Sequence, residues 1–425
     1  MADRIFVQVA AYRDPELIPT LADAIARASD PGRLHFCVAW QHGDELSAEA
    51  FAPIRAQARL TLLDIPFHES HGACWARHAI QQQYDGEEFT LHLDSHHRFV
   101  EGWDALCIQM IRDLQADGIA KPLLTAYLPS YDPTNDPAGR EPDPWRLRLD
   151  RFIPEGPIFF LPEPMQDWQA RTRPERARFF SAHFAFTLGD FAREVQHNPS
   201  YYFHGEEITL AVRAYTHGYD LVSPHRPVAW HEYTRRGRTK HWDEHTDWGA
   251  RNTGTHLHCR QLFGMDEFRD APEVVAAARE GPFGLGSGRS FEAYERYAGL
   301  CFRRRAATPE TLAGTEPGPS DNAELPYDAF AARCLPRFKH CLDVGYDQVP
   351  LDDYDYWVVS FKDAAGEELY RRDVLPDEIA AMRADPDGYC KIWREFLTDV
   401  TPRTWIVWPH SVSKGWQRPI VGRLQ

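Results

Sequence analysis

The chain has no CxxC cysteine pair, no apolar run long enough to span a membrane, no internal repeat and a deficit of positive charge. Its eight cysteines (Cys37, Cys74, Cys107, Cys259, Cys301, Cys334, Cys341, Cys390) stand apart, which argues against a disulfide framework and fits reduced thiols in a cytoplasm. The start, Met1 to Phe6, lacks an apolar signal stretch and runs into a strand pattern, so a cytoplasmic protein without membrane insertion is expected. Lys and Arg number 47 against 63 Asp and Glu, a net charge of −16 that repels nucleic-acid backbones and anionic lipid. His241 and His245 have the i, i+4 spacing of a helical zinc pair, but no HExxH surrounds them, which argues against a zinc hydrolase.

What is present is a globular chain of 425 residues, long enough for two or three domains at roughly 150 residues each. It is rich in aromatics, with 13 Trp, 17 Tyr and 24 Phe, enough for large cores or for surfaces that bind carbohydrate or peptide. Strand patterns at 5–9, 34–40, 60–65 and 89–94 alternate with helical ones opened by Pro15 and spanning 71–84 and 103–114. That alternation predicts an α/β fold with a parallel sheet, whose ligands sit beyond the carboxyl ends of the strands. Residues 129–150, dense in Pro, Asp and Arg, read as a long surface loop, a lid or an insertion, with regular structure resuming near Phe179. Residues 306–325 read as a linker. The expected division is a catalytic domain over 1–305, the linker, and a smaller β-rich accessory domain over 326–425 with a hairpin at 356–374.

The segment with most chemistry is Leu91-His92-Leu93-Asp94-Ser95-His96-His97, an apolar strand ending in Asp-Ser-His. Strand residues two apart share a side, so Asp94 and His96 can converge beyond the sheet. A carboxylate and a neutral imidazole suit a divalent first-row ion such as Mn²⁺, which could clamp a diphosphate leaving group. Alone, the tripeptide equally fits a turn-capping Asp beside a surface His.

Further motifs stand around it: VAAYRD at 9–14, ACWARH at 73–78, LDSHHRF at 93–99, HGEEI at 204–208, WHEY at 230–233 and RTKHWDEH at 238–245. Together, over residues 3 to about 300, they resemble GT-A (Rossmann-like) nucleotide-sugar glycosyltransferases. The match is nearest to glycosyltransferase family 60, the cytoplasmic hydroxyproline N-acetylglucosaminyltransferases, and more distant to the polypeptide N-acetylgalactosaminyltransferases.

The resemblance implies Asp94, His96 and His231 as ligands of Mn²⁺, or of Mg²⁺. It implies Ala11, Tyr12 and Arg13 at uracil and ribose, Arg77 near the diphosphate, and Ser95 in the nucleotide-sugar site. It places the candidate catalytic residues Glu206 and Glu207 toward acceptor and sugar hydroxyls, either of them the general base if the reaction inverts instead, and Arg235, Arg238, Lys240 and His241 on a loop that closes over the diphosphate. The implied activity is transfer of a sugar, GlcNAc foremost, from a UDP-sugar to a hydroxyl of a protein, peptide or small molecule, with retention. The alternatives are a metal-dependent hydrolase of nucleotide sugars or phosphate esters, and a non-catalytic carbohydrate- or peptide-binding protein. Singly, each residue also has an ordinary reading. Arg77 fits a surface helix, Tyr12 packing under a loop, His231 a core, Glu206 and Glu207 a helix first turn, and the basic run a solvated face.

Overall fold

The computed structural model describes residues 3–234, 237–318, 322–384 and 388–424. The chain divides into two compact units, Met1–Ala331 and Ala332–Gln425.

The first unit begins with β1 (Ile5–Tyr12), α1 (Leu17–Arg27), β2 (Leu34–His42), α2 (Ala52–Arg55), β3 (Arg59–Pro66), α3 (Ala73–Gln81) and β4 (Phe89–Asp94). There follow β5 (His97–Phe99), α4 (Trp103–Ala116), β6 (Pro122–Thr125), β7 (Trp145–Phe152), β8 (Ile158–Pro164), β9 (Glu175–Arg176) and β10 (Phe184–Leu188). After α5 (Phe191–Glu194) come α6 (Glu206–Thr216), β11 (Asp220–Ser223), β12 (Ala229–His231), α7 (His241–Glu244) and α8 (Trp248–Phe263). The run closes with α9 (Pro272–Glu280), α10 (Phe291–Ala298), β13 (Leu300–Cys301), β14 (Ala306–Ala307), α11 (Pro309–Leu312) and α12 (Tyr327–Arg333).

Among the described residues the main sheet has the order β3-β2-β1-β4-β10-β6-β11-β9. β1 lies between β2 and β4, parallel to both, and its register sets Ala10 beside Asp94. Ile5, Val7 and Val9 pack into the core shared with α1 and α4, while Phe6 faces Ala76 and Ile80 of α3. Burial on both faces explains an apolar run without alternation. The expected parallel pairing holds for β3, β2, β1 and β4. β10 runs antiparallel to β4 and β6, so the sheet is mixed. A second core joins β10, α6, β11, α8 and α10.

Regular structure returns earlier than Phe179, because β7 and β8 form an antiparallel hairpin. The alternating Arg residues of β7 hid it: Leu149 is buried while the arginines pair with acids, as Arg146 does with Glu163 and Glu175. The described part of 306–325 is not an open connector either. Ala307 and Leu312 belong to the second core, and Glu316 and Pro317 accept hydrogen bonds from the Arg176 amide and side chain. Proline and glycine mark irregular backbone there without marking loss of packing.

The second unit holds β15 (Arg337–Gly345), β16 (Tyr354–Lys362), β17 (Glu368–Arg371), α13 (Pro376–Arg383), β18 (Tyr389–Leu397), β19 (Thr404–Ser411), β20 (Gly415–Trp416) and β21 (Ile420–Arg423). β16 and β17 make the expected hairpin, and β19 pairs with β16 and β21. β15 pairs with β18, whose exposed–buried alternation is that of a half-covered sheet. Its core includes Trp357, Val359, Phe361, Ile392 and Val407. The architecture is α/β with a smaller β-rich C-terminal part.

Candidate active site

A cavity of about 460 Å³ opens beyond the carboxyl ends of β1 and β4. Tyr12, Arg77, Asp94, Ser95, His96, Glu206, Glu207, His231, Arg238, Lys240 and His241 all line it. Two of the expected residues do not. Ala11 lies inside β1 and is buried in the core. Arg13, at φ 46°, is drawn aside by Glu45 and Glu244 and lies over the Phe67 ring. Arg235 and Arg236 lie outside the described residues.

Backbone pairing explains how His231 reaches a pair 135 residues away. β4 ends at Asp94, and after Ser95 and His96 the chain enters β5, which pairs antiparallel with β12 so that His97 faces His231. The Glu232 amide then donates to the His96 carbonyl at 3.2 Å. His96 Nε2 and His231 Nε2 stand 3.0 Å apart, and Asp94 Oδ2 lies 3.4 Å from the second and 3.7 Å from the first.

These three donor atoms lie within 4.8 Å of one another. One carboxylate oxygen and two imidazole nitrogens are a donor set for a divalent first-row ion. The protonation states fit as well. Burial holds His231 well below the usual imidazole range despite the Asp94 carboxylate beside it. A neutral imidazole is the ligating form.

Asp14, which the sequence motifs contain but did not single out, orients this set. Its Oδ2 accepts from His96 Nδ1 at 2.7 Å and from the Ser95 hydroxyl at 2.6 Å, so His96 Nε2 faces the other ligands, with Arg238 Nη1 3.0 Å from it. Burial would raise this carboxyl, but hydrogen bonding with His96 and the Arg238 charge outweigh it and hold it at about 2. A carboxylate behind a ligating histidine fixes the tautomer and raises ligand basicity. His183 completes the wall, stacked on His231 at 4.2 Å and accepting the Leu128 amide at 3.0 Å.

Glu206 and Glu207 open α6 behind Gly205, whose φ of 112° favours glycine and where a Cβ would stand 2.8 Å from Cys259 Sγ. Their environments differ. Glu206 Oε1 accepts from Arg77 Nη1 at 2.5 Å and lies 2.9 Å from His197 Nε2. Burial opposes ionisation there, yet the Arg77 charge and His197 bring the carboxyl down to about 2. Glu207 accepts the Tyr127 hydroxyl at 2.8 Å and the Ala182 amide at 2.9 Å, and burial pushes it up to about 7.

On the loop side, Arg238 reaches Asp14 at 3.1 Å and Glu232 at 3.0 Å. Lys240 Nζ lies 3.8 Å from Asp243. His241 stacks on His245 at 3.9 Å and meets the Tyr202 hydroxyl at 3.0 Å, while the Tyr12 hydroxyl donates to Glu244 at 2.6 Å. Tyr127, His183 and Tyr233 also line the cavity. Tyr233 belongs to the WHEY motif, whereas no spacing in the sequence points to Tyr127 or His183.

A family model described as Glycosyltransferase (GlcNAc) matches residues 4–53 and 43–304. No curated protein matches the chain. Among solved structures, GalNAc-T7 with UDP, GalNAc and Mn²⁺ is similar at 12% identity, covering 100% of this chain and 72% of that one, with a TM-score of 0.47. TarS 1–349 of S. aureus with UDP-GlcNAc is similar at 13% identity over 68% of this chain and 75% of that one, with a TM-score of 0.38. The mannosyltransferase PcManGT of Pyrobaculum calidifontis with GDP-Man and Mn²⁺ is similar at 13% identity over 65% and 74%, with a TM-score of 0.37. Identities and scores this low carry no weight for this chain's own ligands.

Proposed function

The chain belongs to the glycosyltransferase (GlcNAc) family, and on that footing we propose that it transfers GlcNAc from UDP-GlcNAc to a hydroxyl acceptor in a reaction needing Mn²⁺ or Mg²⁺. The observation that carries this reading is the convergence of Asp94, His96 and His231 at the wall of the cavity, their donor atoms within 4.8 Å of one another. When bound there, the ion supplies positive charge against a diphosphate leaving group.

The surrounding residues divide the remaining work. Tyr12 borders the nucleotide end, and Ser95 lies between the two metal ligands on β4 and the following turn. Arg238 and Lys240 bring cationic charge to an anionic donor, through charge-assisted hydrogen bonds. His241, packed on Tyr12 at 4.9 Å, helps close the segment over the donor and exclude water.

Glu206, ionised and spent on Arg77, and Glu207, held by Tyr127 and Ala182, are both already engaged, which supports a route without a dedicated side-chain base. In that route the acceptor hydroxyl attacks the anomeric carbon from the face of the departing diphosphate, the glycosidic bond forms as the carbon–phosphate-oxygen bond breaks, and the proton passes to the diphosphate. The configuration is retained. The acceptor is a protein hydroxyl such as hydroxyproline, and the free cysteines among the described residues support a cytoplasmic setting. The unit from Ala332 onward serves as an accessory domain in acceptor selection.

The test is UDP release from UDP-GlcNAc with Mn²⁺, with and without hydroxyl acceptors. The proposal expects release that rises with acceptor and stops in EDTA. Equal release in water alone makes the protein a hydrolase.

A further inference from the structure

Among the described residues two three-residue groups in the first unit have metal-binding spacing: Asp94, His96 and His231, and the buried set His92, His197 and Glu206. The second set already faces a cation. Arg77, 4% exposed on α3, places Nη1 2.5 Å from Glu206 Oε1. His92 gives Nε2 to the Ala182 carbonyl at 2.6 Å, which leaves its buried Nδ1 without a hydrogen-bond partner. An ion in this set would share Glu206 with the Arg77 guanidinium.

The arginine connects the two groups. Its other nitrogen, Nη2, donates to Asp94 Oδ1 at 2.5 Å, while Asp94 Oδ2 is the oxygen turned toward His231 and His96. One carboxylate oxygen is clamped and the other presented. We propose that Glu206 and Arg77 are positioning residues for the metal-binding carboxylate: Glu206, fixed at the first turn of α6, anchors the Arg77 guanidinium, which sets the Asp94 oxygen presented to the ion. This rests on the reading of Asp94, His96 and His231 as metal ligands.

The charge balance explains why Glu206 is needed. An ion on Asp94 draws on the same carboxylate that neutralises Arg77. With Glu206 in place the buried guanidinium keeps a full counter-charge, and guanidinium and ion can share Asp94. With glutamine at 206, two cationic groups compete for one carboxylate, and a buried arginine left short of counter-charge is costly. The ion is the partner free to leave. Glu206 thus acts on the ion through two intervening side chains, and His197, 2.9 Å from it, holds the anchor from behind.

The experiment is Mn²⁺ titration of the full chain without nucleotide, reading free Mn²⁺ by electron paramagnetic resonance, for wild type, Glu206→Gln and the double variant Arg77→Met/Glu206→Met. The double variant removes both buried charges together, so it stays foldable if the single one does not. The proposal predicts a Mn²⁺ dissociation constant at least tenfold above wild type in Glu206→Gln, and a smaller rise, above threefold, in the double variant, which loses the clamp on Asp94 but also the competing guanidinium. It also predicts that saturating Mn²⁺ restores most of the turnover of Glu206→Gln. Mn²⁺ affinity within twofold of wild type in either folded variant overturns it, and turnover lost beyond rescue by Mn²⁺ makes Glu206 a group acting on substrate instead. Wild type that binds no Mn²⁺ overturns the metal reading itself, an outcome distinct from either.

Discussion

Asp14 is not one of the three donors, yet its bond to Nδ1 decides which nitrogen of His96 faces them. Asp14→Ala is expected to weaken Mn²⁺ binding by about 10- to 100-fold, the usual loss when a partner behind a ligating histidine is removed; calorimetric titration with Mn²⁺ reads it directly. Glu207 makes a prediction of opposite electrostatic sense. Its carboxyl moves from 4.5 to about 7 on folding, so the folded chain holds this proton more tightly and stability falls as pH rises between those values. The span corresponds to about 3 kcal/mol at 1.36 kcal/mol per unit. Urea unfolding at pH 4.5 and pH 7.5 is expected to show the stability of wild type relative to Glu207→Gln dropping by that order; an unchanged difference contradicts it. Glu206 and Asp14, both lowered to about 2, lose their contribution only as pH falls below about 4.5. Of these residues the sequence made Asp94 and His96 visible, because an apolar strand ending in two polar groups is a local pattern. Asp14, His183 and Tyr127 carry no such mark. They matter through a hydrogen bond or a ring contact made across elements.

Elements with one clear period were readable. β1 and β2 are nearly continuous apolar runs, β4 alternates Phe89, Leu91 and Leu93 with polar residues, and α1 places Leu17, Leu21, Ala24 and Ile25 on one buried face. β7 was not: Trp145, Leu147 and Leu149 alternate with Arg146 and Arg148, but in a stretch dense in Pro, Asp and Arg that reads as loop, and Arg146 finds its acids on β8 and β9. Nor was the β5–β12 pairing that brings His231 to His96, because both strands are three residues long. The segment from Gly237 to His245 carries its own prediction. Arg238 is held by Asp14 and Glu232, whereas Lys240 has only Asp243 at 3.8 Å. Both cations are expected to lower turnover when changed to alanine, with Lys240→Ala leaving stability within about 0.5 kcal/mol because exposed pairs contribute little. Hydrogen exchange across 237–248 is expected to slow on adding UDP and Mn²⁺. Equal protection with and without them, together with unchanged turnover in both variants, reduces the segment to a solvated basic face.

For the whole molecule, each unit has its own core and sheets, and every candidate ligand among the described residues lies in Met1–Ala331. A protein ending at Ala331 is therefore expected to bind UDP and Mn²⁺ as the full chain does while losing acceptor transfer; a folded truncation with weakened nucleotide binding contradicts the accessory assignment. The sequence reading set a linker over 306–325, and the packing of 306–312 into the first unit was not legible in it, since composition records backbone regularity and not burial. The central claim is that a metal-dependent nucleotide-sugar site is built on Asp94, His96 and His231. It is tested most directly by calorimetric titration of UDP-GlcNAc into the full chain with Mn²⁺, with EDTA, and with Mn²⁺ into His231→Ala. Binding with Mn²⁺ that disappears in EDTA and in His231→Ala is the predicted result, and binding of equal strength in all three, or none in the first, contradicts it.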